Sequence, residues 1–182
     1  FGGDLRELAT DRIAVLDAGS GTPVATWDVP SPMAIAAAAG RVLVLSGPTK
    51  VLSLDPETGK AAPVLTGLTA GRDIALTGDG RLLVLEGEPL CRVGVYRLDG
   101  REAKLLRTLG RPGGRDATGP WVADAMRNPV SVAVDAEGRA WVAEANHTPK
   151  RFVVWDIAGG RVVREFFGPT HYGASGGAIN PR

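Results

Sequence analysis

Three observations predict an all-β chain built from stacked four-strand units. The first is a string that returns about every forty residues. It reads Ala34-Ile35-Ala36 followed by Gly40-Arg41-Val42-Leu43-Val44-Leu45. It returns as Asp73-Ile74-Ala75 with Gly80-Arg81-Leu82-Leu83-Val84-Leu85, and as Ser131-Val132-Ala133 with Gly138-Arg139-Ala140-Trp141-Val142-Ala143. The second is a companion string of a basic residue, an apolar run, Asp and a Gly turn. Its copies begin at Arg12, Lys50 and Arg151 and reach Asp17 and Gly21, Asp55 and Gly59, and Asp156 and Gly160. A further copy, Arg92 to Gly100, keeps the strand and shortens the turn. The third is the lack of any sustained 3.6-residue apolar period, which leaves almost no helix to expect.

Each element follows from its residues. Short runs rich in Val, Ile and Leu between Gly and Pro read as strands. Ala39-Gly40, Asp79-Gly80 and Glu137-Gly138 sit between such runs, and Asp-Gly is a strong signal for a two-residue hairpin turn. The Asp that ends each companion run is expected to cap its turn by accepting backbone N–H bonds. One more strand follows each turn. Joined in order, the strings give a unit of apolar strand, Gly turn, apolar strand, loop, basic-led strand, Asp/Gly turn and outer strand. Such a unit is one blade of a β-propeller.

Full units are read at 31–70, 71–110 and 128–168. Residues 4–30 supply the outer part of a preceding unit, 169–182 begin a following one, and 111–127 form an insertion loop. Together they make a single partial propeller domain. Small Ala34, Ala36, Ala75 and Ala133 fall on the strand expected innermost, where space near the axis is tight. Bulky Trp27, Tyr96, Trp155 and Phe166 fall on later strands, where the wedge between sheets widens. Continuous apolar runs such as Leu82 to Leu85 fit strands packed on both faces.

Bulk properties narrow the function. The chain has 182 residues with 21 basic and 20 acidic side chains, for a net charge of +1. That balance gives no electrostatic case for nucleic acid or an anionic membrane. The longest apolar run, 33–39, is far short of the roughly 20 residues of a membrane helix. One cysteine, Cys91, excludes an intrachain disulfide and reads as a small buried filler. No Ser/His/Asp arrangement, phosphate loop, dinucleotide fingerprint or CxxC is present.

The unit from Asn128-Pro129-Val130-Ser131-Val132-Ala133-Val134-Asp135 through Glu137-Gly138-Arg139-Ala140-Trp141-Val142-Ala143-Glu144-Ala145-Asn146 to Arg151-Phe152-Val153-Val154-Trp155-Asp156 resembles an NHL repeat. It departs from the pattern at Glu144, where the family has Asp, and in a shifted Asn followed by Thr148-Pro149-Lys150. The units at 31–70 and 71–110 keep the strands and lose the Asn-x-Arg signature. The resemblance implies a propeller, commonly of six blades, in which the Asn ties blades together through backbone contacts.

Three and a half units do not close a ring, and an open stack leaves apolar faces and free strand edges at its ends. The expected partners are therefore the remainder of a longer propeller or another chain completing the ring. Propeller ligands bind on loops at one end of the channel. The insertion, with Arg111, Arg115 and Trp121, is the first candidate for ligand binding, and His171 with Tyr172 is the second. Glu144 and Asn146 are weak candidates for metal ligands, though their spacing matches no metal motif. Arg41, Arg81 and Arg139 share one repeat position, where each is expected to pair with a nearby acid.

The sequence thus predicts a non-catalytic binding or scaffold module with no cofactor. It would recognise a protein, peptide or glycan on one face, and an extracytoplasmic setting in a bacterium is favoured. The alternative is a fragment of a propeller enzyme resembling lactonases or lyases, with Ca or Zn in the channel.

Overall fold

The computed structural model describes residues 11–100, 102–145 and 149–168. Among these residues there is no helix, and the chain is all-β. Sheet 1 pairs β1 (Arg12–Leu16) with β2 (Pro23–Asp28). Sheet 2 runs β3 (Pro32–Ala38), β4 (Arg41–Ser46), β5 (Lys50–Leu54) and β6 (Ala61–Thr66). Sheet 3 runs β7 (Gly71–Leu76), β8 (Leu82–Glu86), β9 (Arg92–Asp99) and β10 (Glu102–Leu109). Sheet 4 runs β11 (Pro129–Val134), β12 (Arg139–Glu144), β13 (Lys150–Asp156) and β14 (Arg161–Gly168). Within each sheet, consecutive strands pair antiparallel in chain order.

The first strands of the three larger sheets lie together, with β7 between β3 and β11. This explains the alanines. Sheets can approach closely at β3, β7 and β11 only where side chains are small. Farther out the gap fills with larger residues, including Tyr96 and the fully buried Trp155.

Side-chain alternation explains the unbroken apolar runs. Leu82 and Val84 of β8 point to sheet 2, among Leu43, Leu45, Val51 and Val64. Leu83 and Leu85 point the other way, to Val132, Ala140, Val142, Val153 and Trp155 of sheet 4. A strand buried on both faces is apolar at successive positions, and the one acid of β8, Glu86 at its end, is buried with partners. Each such leucine contributes about 1.5–3 kcal/mol by leaving water. Sheet 1 covers sheet 2 with Ile13 and Trp27 against Val44, Leu52 and Leu54. It does not reach β3, where Met33 and Ile35 stay half exposed.

The turns divide into two kinds. At Ala39-Gly40 the hairpin has two residues, both at positive φ (50° and 71°), the geometry whose twist matches the strands. The expected two-residue turns at Asp79-Gly80 and Glu137-Gly138 are instead three-residue loops. Thr77 and Arg81 close one, and Asp135 and Arg139 the other, through N–H to C=O bonds of 2.9 and 3.1 Å. The reason is the side chain at the first closing position. The Thr77 hydroxyl accepts the Arg81 N–H at 2.8 Å, and the Asp135 carboxylate accepts the Arg139 N–H at 2.8 Å. Each captures a donor that a two-residue turn would leave to the ladder.

The capping aspartates behave as expected. Asp17 accepts the N–H groups of Gly19 and Ser20, Asp55 those of Glu57 and Thr58, and Asp156 those of Ala158 and Gly159. These bonds hold all three carboxyls below the ordinary aspartate range. Asp99, before the shortened turn, pairs instead with Arg97 at 2.8 Å and Lys104 at 3.6 Å. Arg81 pairs with Asp79, and Arg139 with Asp135 and Glu137. Cys91 is buried, and burial pushes its thiol up.

One polar contact crosses between sheets at the inner strands. Asp73 on β7 accepts the hydroxyl and the next backbone N–H of β11, from Ser131 Oγ and Val132 N, each at 2.8 Å. Asp73 and Ser131 occupy the same place in the repeat.

Candidate functional site

A recurring polar pair sets up the site. The last residue of the second strand faces a basic residue at the start of the third across each hairpin: Ser46 faces Lys50, Glu86 faces Arg92, and Glu144 faces Arg151, the second residue of β13. In sheet 3, Glu86 is buried and accepts Arg92 Nε at 2.8 Å. It also accepts the Thr69 N–H, from the connection entering the sheet, at 3.1 Å.

Sheet 4 repeats the pair and enlarges it. Glu144 Oε1 accepts Arg151 Nε at 2.8 Å and is also bonded by Arg151 Nη2. The Arg127 backbone N–H, from the connection entering the sheet, repeats the Thr69 contact on Glu144, and a side chain from the insertion is added: Arg115 Nη2 donates to Glu144 Oε2 at 2.6 Å. Arg151 continues to Glu165 at 2.6 Å and to the carbonyls of Ala123 and Ala125, each at 2.9 Å. Glu144 and Arg151 are both fully buried, and the Arg115 side chain is 6% exposed.

Every group within reach of the Glu144 carboxylate in these bonds is a donor, and together they satisfy both oxygens. Burial pushes the Glu144 carboxyl up, while Arg151 and Arg115 pull it back. Burial likewise lowers the Arg115 guanidinium, and Glu144 opposes that shift.

Backbone bonds fold the insertion on itself and tie it to the β8–β9 connection of sheet 3. Gly113 N donates to Leu90 O at 3.1 Å, Arg115 N to Met126 O at 3.0 Å, and Arg111 N to Asp124 O at 2.8 Å. Gly114 is required here. Its φ is +70°, and a Cβ would lie 2.2 Å from the Met126 carbonyl oxygen and 2.9 Å from Cys91 Cβ. No larger residue lets the loop sit this close to sheet 3.

Trp121 sits on this base. The Cζ atoms of Arg115 and Arg151 lie 4.8 and 5.0 Å from its ring centroid, and Phe167 meets it edge-on at 5.3 Å. The indole is nonetheless 45% exposed. Its chain neighbours Pro120 and Val122 line a hollow of about 200 Å³ together with Arg111, Arg115, Asp116 and Thr118. The Arg111 guanidinium is exposed and lies 3.4 Å from Asp124.

The structure therefore brings Arg111, Arg115, Trp121 and Glu144 to one place. Asn146, His171 and Tyr172 lie outside the described residues. Glu144, weighed as a metal ligand, gives both oxygens to guanidiniums. Among the described residues no group of three His, Cys, Asp or Glu side chains converges on a point. None of the helices needed to cross a membrane is present among the described residues.

Sequence reasoning missed Arg151, Glu165 and Phe167 as parts of the site. A signal for Arg151 was present. In sheets 2, 3 and 4 the basic-led strand follows a strand ending in Ser or Glu, so folding the hairpin in register sets Arg151 opposite Glu144.

Among known proteins, no family model and no curated relative matches this chain.

Proposed function

We propose that the chain is a non-catalytic binding module, part of an NHL-like β-propeller, whose recognition surface is the 111–127 insertion. One observation carries the reading. The insertion is fixed on a buried ion-pair network, yet it leaves Trp121 exposed between two chain neighbours that line a polar hollow. A loop held rigidly and still presenting an aromatic side chain loses little entropy on binding, which favours affinity. Ordinary packing would bury an indole; an exposed one on a fixed loop fits a ligand platform.

The propeller reading is supported by three like sheets meeting along their first strands and by the motif of 128–168. The ring is completed by further strands of the same protein or by another chain. The exposure of Met33 and Ile35 on the face of β3 supports this, since a further pair of strands beside β1 would cover them.

Arrays of immobilised glycans and peptides test the binding reading. Wild-type protein is expected to give signals that Trp121→Ala and Arg111→Ala abolish. Signals unchanged by both substitutions, or none at all, overturn it. Electron-microscopy averages of the intact protein test the ring: a linear stack of sheets contradicts it.

A further inference from the structure

The chemistry around Trp121 is selective. The exposed lining of the hollow offers a donor-only group in Arg111, an acceptor-only group in Asp116, and a hydroxyl that does both in Thr118. Neither sign of charge dominates. Arg111 is answered by Asp124, and Arg115 by Glu144. A cationic ligand approaching the indole meets the guanidiniums of Arg115 and Arg151, which already use the ring's attraction for cations. An anionic ligand meets Asp116 and Asp124. Like charges at such range repel in either case.

Size narrows the ligand further. The hollow holds about 200 Å³, below the roughly 300 Å³ at which drug-sized pockets begin. A protein partner of standard size covers about 800 Å² with an apolar centre. Among the described residues, the large exposed apolar side chains that meet at this loop are Trp121 and its edge neighbour Phe167. What fits is one small ring with an apolar face and a rim of groups that both donate and accept.

We propose that this site binds a neutral saccharide, with one pyranose ring stacked on Trp121 and its hydroxyls bonded to Arg111, Asp116 and Thr118. The C–H face of the sugar covers the indole, and each hydroxyl serves both the donor and the acceptor side of the lining. This assignment rests on the binding-module reading and adds the ligand class to it. Trp121 supplies the contact area, and the Arg115–Glu144–Arg151 network holds it in place.

Titration calorimetry on the full chain tests it, using cellohexaose, maltohexaose and chitohexaose as neutral probes. Hexagalacturonate and a hexalysine peptide serve as charged probes. At least one neutral sugar is expected to bind with a Kd below about 1 mM. Trp121→Ala should weaken that binding about tenfold or more, and Trp121→Phe should keep most of it. Unchanged circular dichroism and unfolding midpoint exclude a folding defect as the cause. Neutral sugars that fail to bind, or that bind Trp121→Ala equally well, overturn the saccharide assignment. If a charged probe binds instead and depends on Trp121, the saccharide assignment falls and the recognition surface stands. If no probe and no array ligand depends on Trp121, both fall.

Discussion

Glu144 and Arg151 face each other across the β12–β13 hairpin, joined through Oε1 and Nε at 2.8 Å, with both side chains fully buried. The pair occupies the position of Glu86 and Arg92 in the preceding sheet. In both sheets the acid takes a backbone N–H from the connection entering the sheet, Thr69 or Arg127; in sheet 4 it also takes Arg115 from a long insertion. A repeated structural contact has thus become the anchor of a loop.

Removing Glu144 should cost far more than a surface ion pair. Glu144→Ala takes the buried carboxylate from both Arg151 and Arg115 and leaves Arg151 only the Glu165 carboxylate, a change worth about 3–5 kcal/mol. Arg115→Ala takes away one charged donor and leaves the Glu144–Arg151 pair, so the loss should be nearer 1–3 kcal/mol. Urea unfolding of the two variants measures both. A loss below about 1 kcal/mol for Glu144→Ala, typical of exposed pairs, contradicts the buried network.

Asp73 and Ser131 should be energetically coupled across the seam. The Asp73 carboxylate takes both the Ser131 hydroxyl and the Val132 N–H. A double-mutant cycle of Asp73→Ala and Ser131→Ala is expected to give a coupling of about 0.5–3 kcal/mol. Additive effects would contradict the Asp73–Ser131 bond.

Two glycines with similar φ should respond differently to alanine. Gly40 at +71° has no atom within 4 Å of a built Cβ, so Gly40→Ala pays only the left-handed backbone cost of about 1–2 kcal/mol. At Gly59, φ +68°, the Cβ would lie 2.2 Å from Trp27 Cδ1. Gly59→Ala should exceed the Gly40 cost by about 1–3 kcal/mol of overpacking. Equal unfolding midpoints for the two variants would contradict the packing of Trp27 over the β5–β6 turn.

Acid should destabilise the fold through its turn carboxylates. Burial raises the Asp135 carboxyl, but bonds from the Trp141 indole and from the Arg139 backbone and side chain outweigh it, and the net direction is down. Asp55 and Asp156 are lowered by backbone N–H bonds. A lowered folded pKa means that the unfolded chain binds more protons in this range. The stabilisation is therefore whole above the ordinary value of 3.8 and is lost as pH falls through the depressed folded values. Glu144 is shifted upward, so its contribution has the opposite sign and falls above 4.5, outside this window. Urea midpoints measured down the acid range should drop below 3.8, less steeply in Asp135→Asn. A midpoint that rises on acidification there contradicts the sign.

Much of the fold was legible because repetition made each weak signal recur. The alternation of Leu82 to Leu85, the alanines of the inner strands and the caps at Asp17, Asp55 and Asp156 are local properties that a single copy suggests and further copies reinforce. The two longer turns were misread because Asp79-Gly80 and Glu137-Gly138 carry the dipeptide of a tight hairpin. The closing residues Thr77 and Asp135, two positions earlier, decide the loop. The site was half legible. Arg111, Arg115 and Trp121 stood out because the insertion breaks the repeat. Arg151 did not, because it looks like any basic residue leading a third strand; only hairpin register sets it against Glu144. Glu165 and Phe167 lie on an outer strand with no motif, and they reach the site through tertiary packing alone.

Amide hydrogen exchange across 110–127, compared between wild type and Glu144→Gln, tests most directly whether the buried network holds the recognition loop. In wild type the amides of Arg111, Gly113, Arg115 and Ala125 should be protected, as their bonds to Asp124, Leu90, Met126 and Val122 require. In Glu144→Gln these amides should lose protection while those of sheets 2 and 3 keep theirs. A loop that exchanges freely in wild type, or one equally protected in both proteins, would contradict it.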